Sequence, residues 1–226
     1  LAQDNKTLPF ALFATEKLIE IMRFNSMRYE ASEEYDRLTR FWLHEALNST
    51  SLQLTPESFE VKKIESFFWA ARYKALVENY AASLRYATKA KELIEKANHQ
   101  GLLRKNIKTE LYADYLYITA FRIFISEGRY DDAQTILKKS REVSFPRKWQ
   151  ERFLWLSGLV AYLQKDFPQA IATWRDFEKI TSESMKANFW LAKAYEKSGQ
   201  KNEAEQLRQE NRKHAPLHYY TLLASH

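Results

Sequence analysis

His214 and His218 stand four residues apart, the spacing at which two imidazoles on one helix face share a metal ion. Pro216 lies between them, and an interior proline breaks the helix such a pair requires. No third ligand follows, and the remaining histidines, His44, His99 and His226, are scattered. Ser198-Gly199-Gln200-Lys201 has the Ser-x-x-Lys spacing in which a lysine can activate a serine. Its place is an expected turn between two helices, where small and polar residues serve the turn itself. Cysteine is absent, which excludes disulfides, zinc–thiolate sites and thiol nucleophiles, and suits an oxidising compartment. Neither Gly-x-Ser-x-Gly, nor a P-loop, nor a dinucleotide fingerprint occurs. No catalytic residue, metal site or cofactor is therefore expected on this chain.

Charge is unevenly spread. The formal charge is +6, yet residues 1–60 carry six Lys/Arg against ten Asp/Glu, which leaves +10 for residues 61–226. The dense basic stretches 85–108 and 138–152 either attract an acidic partner or are simply solvated helix faces. They match no nucleic-acid-binding module, and carboxylates are plentiful, so no nucleic acid is expected as partner. No apolar run approaches the ~20 residues that cross a bilayer.

The elements that must position any site are helices. Four glycines and five prolines in 226 residues are too few for the turns of a sheet protein. GLVAYLQKDFPQAIATW aligns with AKAYEKSGQKNEAEQLR at an offset of 34, Gly158 on Ala192 and Ala170 on Ala204. FRIFISEGRYDDAQTIL lies upstream at an offset of 37, Ala133 opposite Ala170, with three extra residues expected around Phe145-Pro146-Arg147. A looser copy follows Ala75, with Ser83 and Ala90 as its small contacts. Two antiparallel helices approach closely only where small residues let the backbones meet, and the large Leu137 and Trp174 fill the next space. Gly128 and Gly199 suit the left-handed end of a first helix. The pattern resembles the tetratricopeptide repeat. It departs from it at Arg208 and Phe121, and at Lys165 in place of the turn glycine.

Further upstream, amphipathic periodicity predicts helices from Pro9 to Phe24 and from Met27 to Leu47, then a loop over 48–58. Thr55-Pro56-Glu57 in that loop reads as a helix N-cap with proline in the first turn. The expected fold is all-α: a right-handed α-solenoid of antiparallel helix pairs with about eleven helices. Residues 1–60 are expected as a capping region and 61–226 as the repeats. The first helix of each pair lines the inner surface of such a fold. Its exposed residues are expected to include Tyr115, Arg122, Arg152, Trp155, Tyr162, Lys186, Phe189 and Lys193. Aromatic and basic residues together can grip an extended chain; alternatively the aromatics pack between repeats and the cations are only solvated.

The end of the chain carries a second resemblance. KANFWLAKAYEKSGQKNEAEQL followed by HAPLHYYTLLAS is similar to the end of the superhelical domain of soluble lytic transglycosylases, through Trp190, Ala192, Ala194, Gly199, Glu203, Ala204, Tyr219, Tyr220, Leu223 and Ala224. In that family the segment leads into a lysozyme-like domain that cleaves peptidoglycan. The resemblance implies a periplasmic, non-catalytic scaffold that assists peptidoglycan or partner binding, with the enzyme expected to begin beyond His226. The opening Leu1-Ala2-Gln3-Asp4 is compatible with signal-peptide cleavage. The family's catalytic glutamate lies in a Glu-Ser-x-Phe context, which Glu65-Ser66-Phe67-Phe68 imitates. Its Gly-Leu-Met-Gln and Ala-Tyr-Asn partners are missing here, so Glu65 is expected to be a surface glutamate on a repeat helix. The alternative function is a free-standing tetratricopeptide-like adaptor that holds a protein segment in its groove.

Overall fold

A computed structural model describes residues 8–43, 48–50 and 52–224. The described residues form eleven α-helices and no strand. Residues 1–128 and 129–226 make two compact units. The first contains α1 (Leu8–Phe24), α2 (Arg28–Trp42), α3 (Pro56–Leu76), α4 (Tyr80–His99) and α5 (Lys105–Tyr117), which continues as a π-helical segment, Ile118–Ile125. The second contains α6 (Tyr130–Lys139), α7 (Arg147–Leu163), α8 (Phe167–Ile180), α9 (Ser184–Lys197), α10 (Lys201–His214) and the short α11 (Tyr219–Leu223). The division differs from the boundary expected at residue 60. The α1–α2 pair is a helix hairpin like the others, and α2 packs along α3. His44 and the rest of 44–47, where α2 was expected to continue, lie outside the described residues, as do Leu1-Ala2-Gln3-Asp4 and His226.

One turn recurs five times. Ser26, Glu78, Gly128, Lys165 and Gly199 have φ of 57, 60, 79, 63 and 85°, and the next helix begins two residues after each. Their N–H groups donate to carbonyls three residues back at 3.0–3.2 Å. At four of them the following N–H, of Met27, Asn79, Asp166 or Gln200, donates five residues back at 2.8–2.9 Å. This is the Schellman pattern, which satisfies the last carbonyls of the first helix. Lys165, which departs from the repeat pattern in sequence, thus takes the glycine's conformation and bears its steric cost. Asn79 and Asp166 also cap the second helix, their side chains accepting from the N–H of Ala82 and Gln169 at 3.1 Å. The cap expected at Thr55 is present: it accepts from Ser58 N–H at 3.1 Å, with Pro56 in the first turn.

Counted from the left-handed residue, the small residues keep one register. Ala31, Ser83, Ala133, Ala170 and Ala204 each follow it by five positions, and all are fully buried. Ala71, Gly158 and Ala192 precede it by seven. Ser83 Oγ donates to the Ala71 carbonyl at 2.6 Å, and Trp174 Nε1 donates to the Trp155 carbonyl at 3.1 Å across Gly158. A Cβ on Gly158 would stand 2.3 Å from Trp174 Nε1, so the indole occupies the space a side chain would take. Phe121, the large residue in a small slot, has a local explanation. The π-helical turns add one residue, and it is Ala120, not Phe121, that is fully buried.

Candidate interaction surface

Helical spacing puts Trp155, Leu159 and Tyr162 of α7 on one face, and Lys186, Trp190 and Lys193 of α9 on another. The two faces meet through rings. Trp190 lies edge-on to Trp155 at 6.4 Å and to Tyr162 at 6.1 Å, and packs against Trp174 at 5.6 Å. Lys186 Nζ sits 4.6 Å above the Trp155 ring and 2.9 Å from a Glu183 carboxylate oxygen. Lys193 Nζ sits 5.0 Å above the Phe189 ring. The Trp155 ring and the Glu183 carboxylate together hold the Lys186 ammonium in place, with 22% of the side chain's surface left exposed. Burial, and then the Glu196 carboxylate, push the Tyr162 hydroxyl above its ordinary range, which keeps it a neutral donor. Trp190 Nε1 is buried and finds no acceptor among the described residues.

Of the eight residues expected along an inner surface, this wall joins Trp155, Tyr162, Lys186, Phe189 and Lys193. Two expectations of exposure fail. Tyr115 is 8% exposed, stacked beside Tyr112, and its hydroxyl is pushed up by that burial. Phe189 is 4% exposed because Tyr220 of α11 packs on it at 5.4 Å and Trp190 at 5.5 Å. Arg122, half-buried, lies over the Phe121 ring in the π-helical segment of the first unit. Arg152 is exposed and lies over Trp149, at 4.7 Å, in the first turns of α7. Trp190, the residue that ties the wall together, stands out in the sequence only through its motif. The spacing Lys186, Trp190, Lys193 was the signal that could have placed it.

The residues with catalytic or ligating chemistry are spread apart. His214 ends α10, and His218 caps α11, Nδ1 accepting from Tyr220 N–H at 3.3 Å. Among the described residues no cluster of His, Asp and Glu is arranged to hold a metal. Ser198 Oγ donates to the Tyr195 carbonyl at 2.9 Å and accepts from Gln200, which commits it to the turn. Glu65 is exposed on α3, yet the protein crowded around it, then the Asp114 carboxylate, raise its carboxyl above the usual range against the pull of Lys62 and Arg72. No helix among the described residues is long and apolar enough to cross a membrane.

Comparison with known proteins places the fold. No protein-family model matches the chain, and no curated protein matches it. Two crystal structures of nearly identical TPR-like repeats, from a candidate kinesin light chain of Podosopora anserina, are similar to it at 17% and 16% identity, with TM-scores of 0.53 and 0.52. Each comparison covers 90% of this chain and 94% of the other. At such identity the likeness is one of fold: TPR-like helix pairs repeated along the chain, an α-solenoid architecture. Neither structure is described as a lytic transglycosylase.

Proposed function

We propose that the chain is a helical-repeat scaffold for protein–protein interaction, and that it holds a segment of its partner on the α7–α9 wall. The observation that carries this reading is the Trp155–Lys186–Trp190 arrangement: two indoles with an ammonium over one of them, on the first helices of consecutive pairs. Aromatic anchors beside charges are the residue types that dominate binding energy at interfaces. The wall suits a segment that offers an apolar side chain to the rings and a carboxylate to Lys186. The immobilised chain should retain such a partner at low salt and release part of it at high salt. Lys186→Glu should lower affinity about tenfold or more, with Trp155 and Trp190 fluorescence responding to the partner only in the wild type. Retention indifferent to Lys186→Glu would remove the wall from consideration.

A second reading is favoured by one observation, the docking of Tyr220 on Phe189, which builds the Tyr-Tyr-x-x-Leu-Ala segment into the last repeat. On it, the scaffold serves a periplasmic lytic transglycosylase and its wall meets peptidoglycan. Purified sacculi should then pull the chain down and lose it in Trp155→Ala. Binding no better than to an inert polysaccharide would leave the protein-segment reading alone.

A further inference from the structure

The last helix pair keeps the geometry of the pair before it and inverts its chemistry. Counted from Lys165 and from Gly199, the positions that α7 and α8 fill with Leu154, Leu159, Tyr162, Trp174 and Phe177 hold Asn188, Lys193, Glu196, Arg208 and Asn211 in α9 and α10. The first set is an apolar socket, and α9 packs into it. Among the described residues the second set is covered only by the five-residue α11, which leaves an open cavity of about 630 Å³ with Phe189 and Leu223 at its edges.

Within this cavity the polar groups are built in, not merely solvated. Asn188 and Asn211 are 3% and 2% exposed. Asn188 Nδ2 donates to Asn211 Oδ1 at 3.0 Å, and Asn211 Nδ2 donates to the Met185 carbonyl at 3.1 Å. Asn188 Oδ1 is left at the cavity wall as an acceptor with no donor among the described residues. Arg208 pairs with Glu196 and Arg212 with Glu205, whereas among the described residues Lys193 has only the Phe189 ring. The cavity is therefore positive by one charge. Solubility alone would be met by exposed charges. It would not need a buried amide pair, which is costly unless every member is satisfied.

We propose that this socket is a second docking site, which takes an extended acidic peptide segment. A carboxylate of the segment rests on Lys193 beside Arg208, and a main-chain N–H donates to Asn188 Oδ1. The site is independent of the α7–α9 wall, although Lys193 borders both. The test is selection of random peptides, about twelve residues long, on the full chain. Peptides rich in Asp and Glu should be enriched. Their affinity should fall about tenfold in Arg208→Glu, and also in Asn188→Leu, which keeps the charge and installs the residue type of Leu154. Lys186→Glu should leave it unchanged. On the wild-type chain the side-chain amide resonances of Asn188 and Asn211 should shift as a selected peptide is added, a readout that requires no variant to fold. Absence of acidic enrichment, or amide resonances that stay still at saturation, overturns the proposal. Binding lost in Lys186→Glu but retained in Arg208→Glu assigns the peptide to the wall and equally overturns the socket.

Discussion

In residues 1–128, α3 is tied to its neighbours by ion pairs. In residues 129–226, the corresponding links converge on one tryptophan. Lys62 reaches Glu16 of α1 at 3.1 Å, Lys74 reaches Asp36 of α2 at 2.7 Å, and Arg72 reaches Asp114 of α5 at 2.8 Å. Glu57 of α3 holds Arg104, at the start of α5, at 2.8 Å. In the second unit, most of the ion pairs lie within a single helix, and Trp190 instead touches the rings of Trp155, Tyr162, Trp174 and Phe189. Charge is distributed to match: eighteen Lys/Arg against seventeen Asp/Glu in 1–128, and seventeen against twelve in 129–226. A unit that spends its cations on its own carboxylates has little charge left for a ligand. The second unit keeps a surplus of five positive charges, seventeen less twelve, and the candidate surfaces fall there.

Breaking the aromatic hub should have the largest effect. Trp190→Ala should cost about 3 kcal/mol or more, seen as lost amide-exchange protection across 129–226. A variant that kept its protection would show that the rings are bystanders. Gly158→Ala comes next, at about 1–3 kcal/mol, because the new methyl meets the Trp174 indole. Thermal melts of the two proteins measure it, and an unchanged midpoint would mean that the indole moves aside freely. The ionic hub should yield less. Asp114→Asn should cost about 1 kcal/mol or less in the first unit, and should reduce the salt dependence of exchange in α3. If salt acts equally on wild type and variant, the pair contributes nothing.

The smallest effect sharpens the contrast by its sign. Glu65 has a raised carboxyl in the fold, so the stability its protonation gives is fully present below the ordinary carboxylate range. That stability is lost as pH rises through the folded value. Glu65→Gln should therefore melt slightly above wild type at neutral pH, and the difference should close in acid. A variant less stable than wild type at neutral pH would mean that the charged form of Glu65 is held by a favourable partner.

The repeat register was legible because it is written in residue size. Gly158, Ala170, Ala192 and Ala204 are small for one reason, the approach of two backbones, and the offset of 34 records it. The turns were legible at Gly128 and Gly199, and at Lys165 through the repeat alignment, but not at Ser26 or Glu78, since main-chain hydrogen bonds hold that conformation whatever the side chain. The π-helical segment was not legible: one residue added inside a helix reads in sequence like one residue added to a loop. Exposure on the first helices was only partly readable. Periodicity gives the face on which Phe189 lies, but its cover, Tyr220, comes from a helix 31 positions further along.

The five matching turns make the hairpin an interchangeable joint. The residue after each left-handed position has nearly the same backbone angles, from φ −77° and ψ 77° at Met27 to φ −88° and ψ 68° at Gln200. At the four elbows that lie inside one unit, Ser26, Glu78, Lys165 and Gly199, the outgoing helix therefore departs in one direction relative to the incoming one. Three-residue grafts between hairpins, Ser198-Gly199-Gln200 in place of Gln164-Lys165-Asp166 for example, should preserve the path of the chain while relieving the strain at Lys165. Protein engineers could cut and rejoin the molecule at these elbows, shuffling or duplicating helix pairs without redesigning the joint.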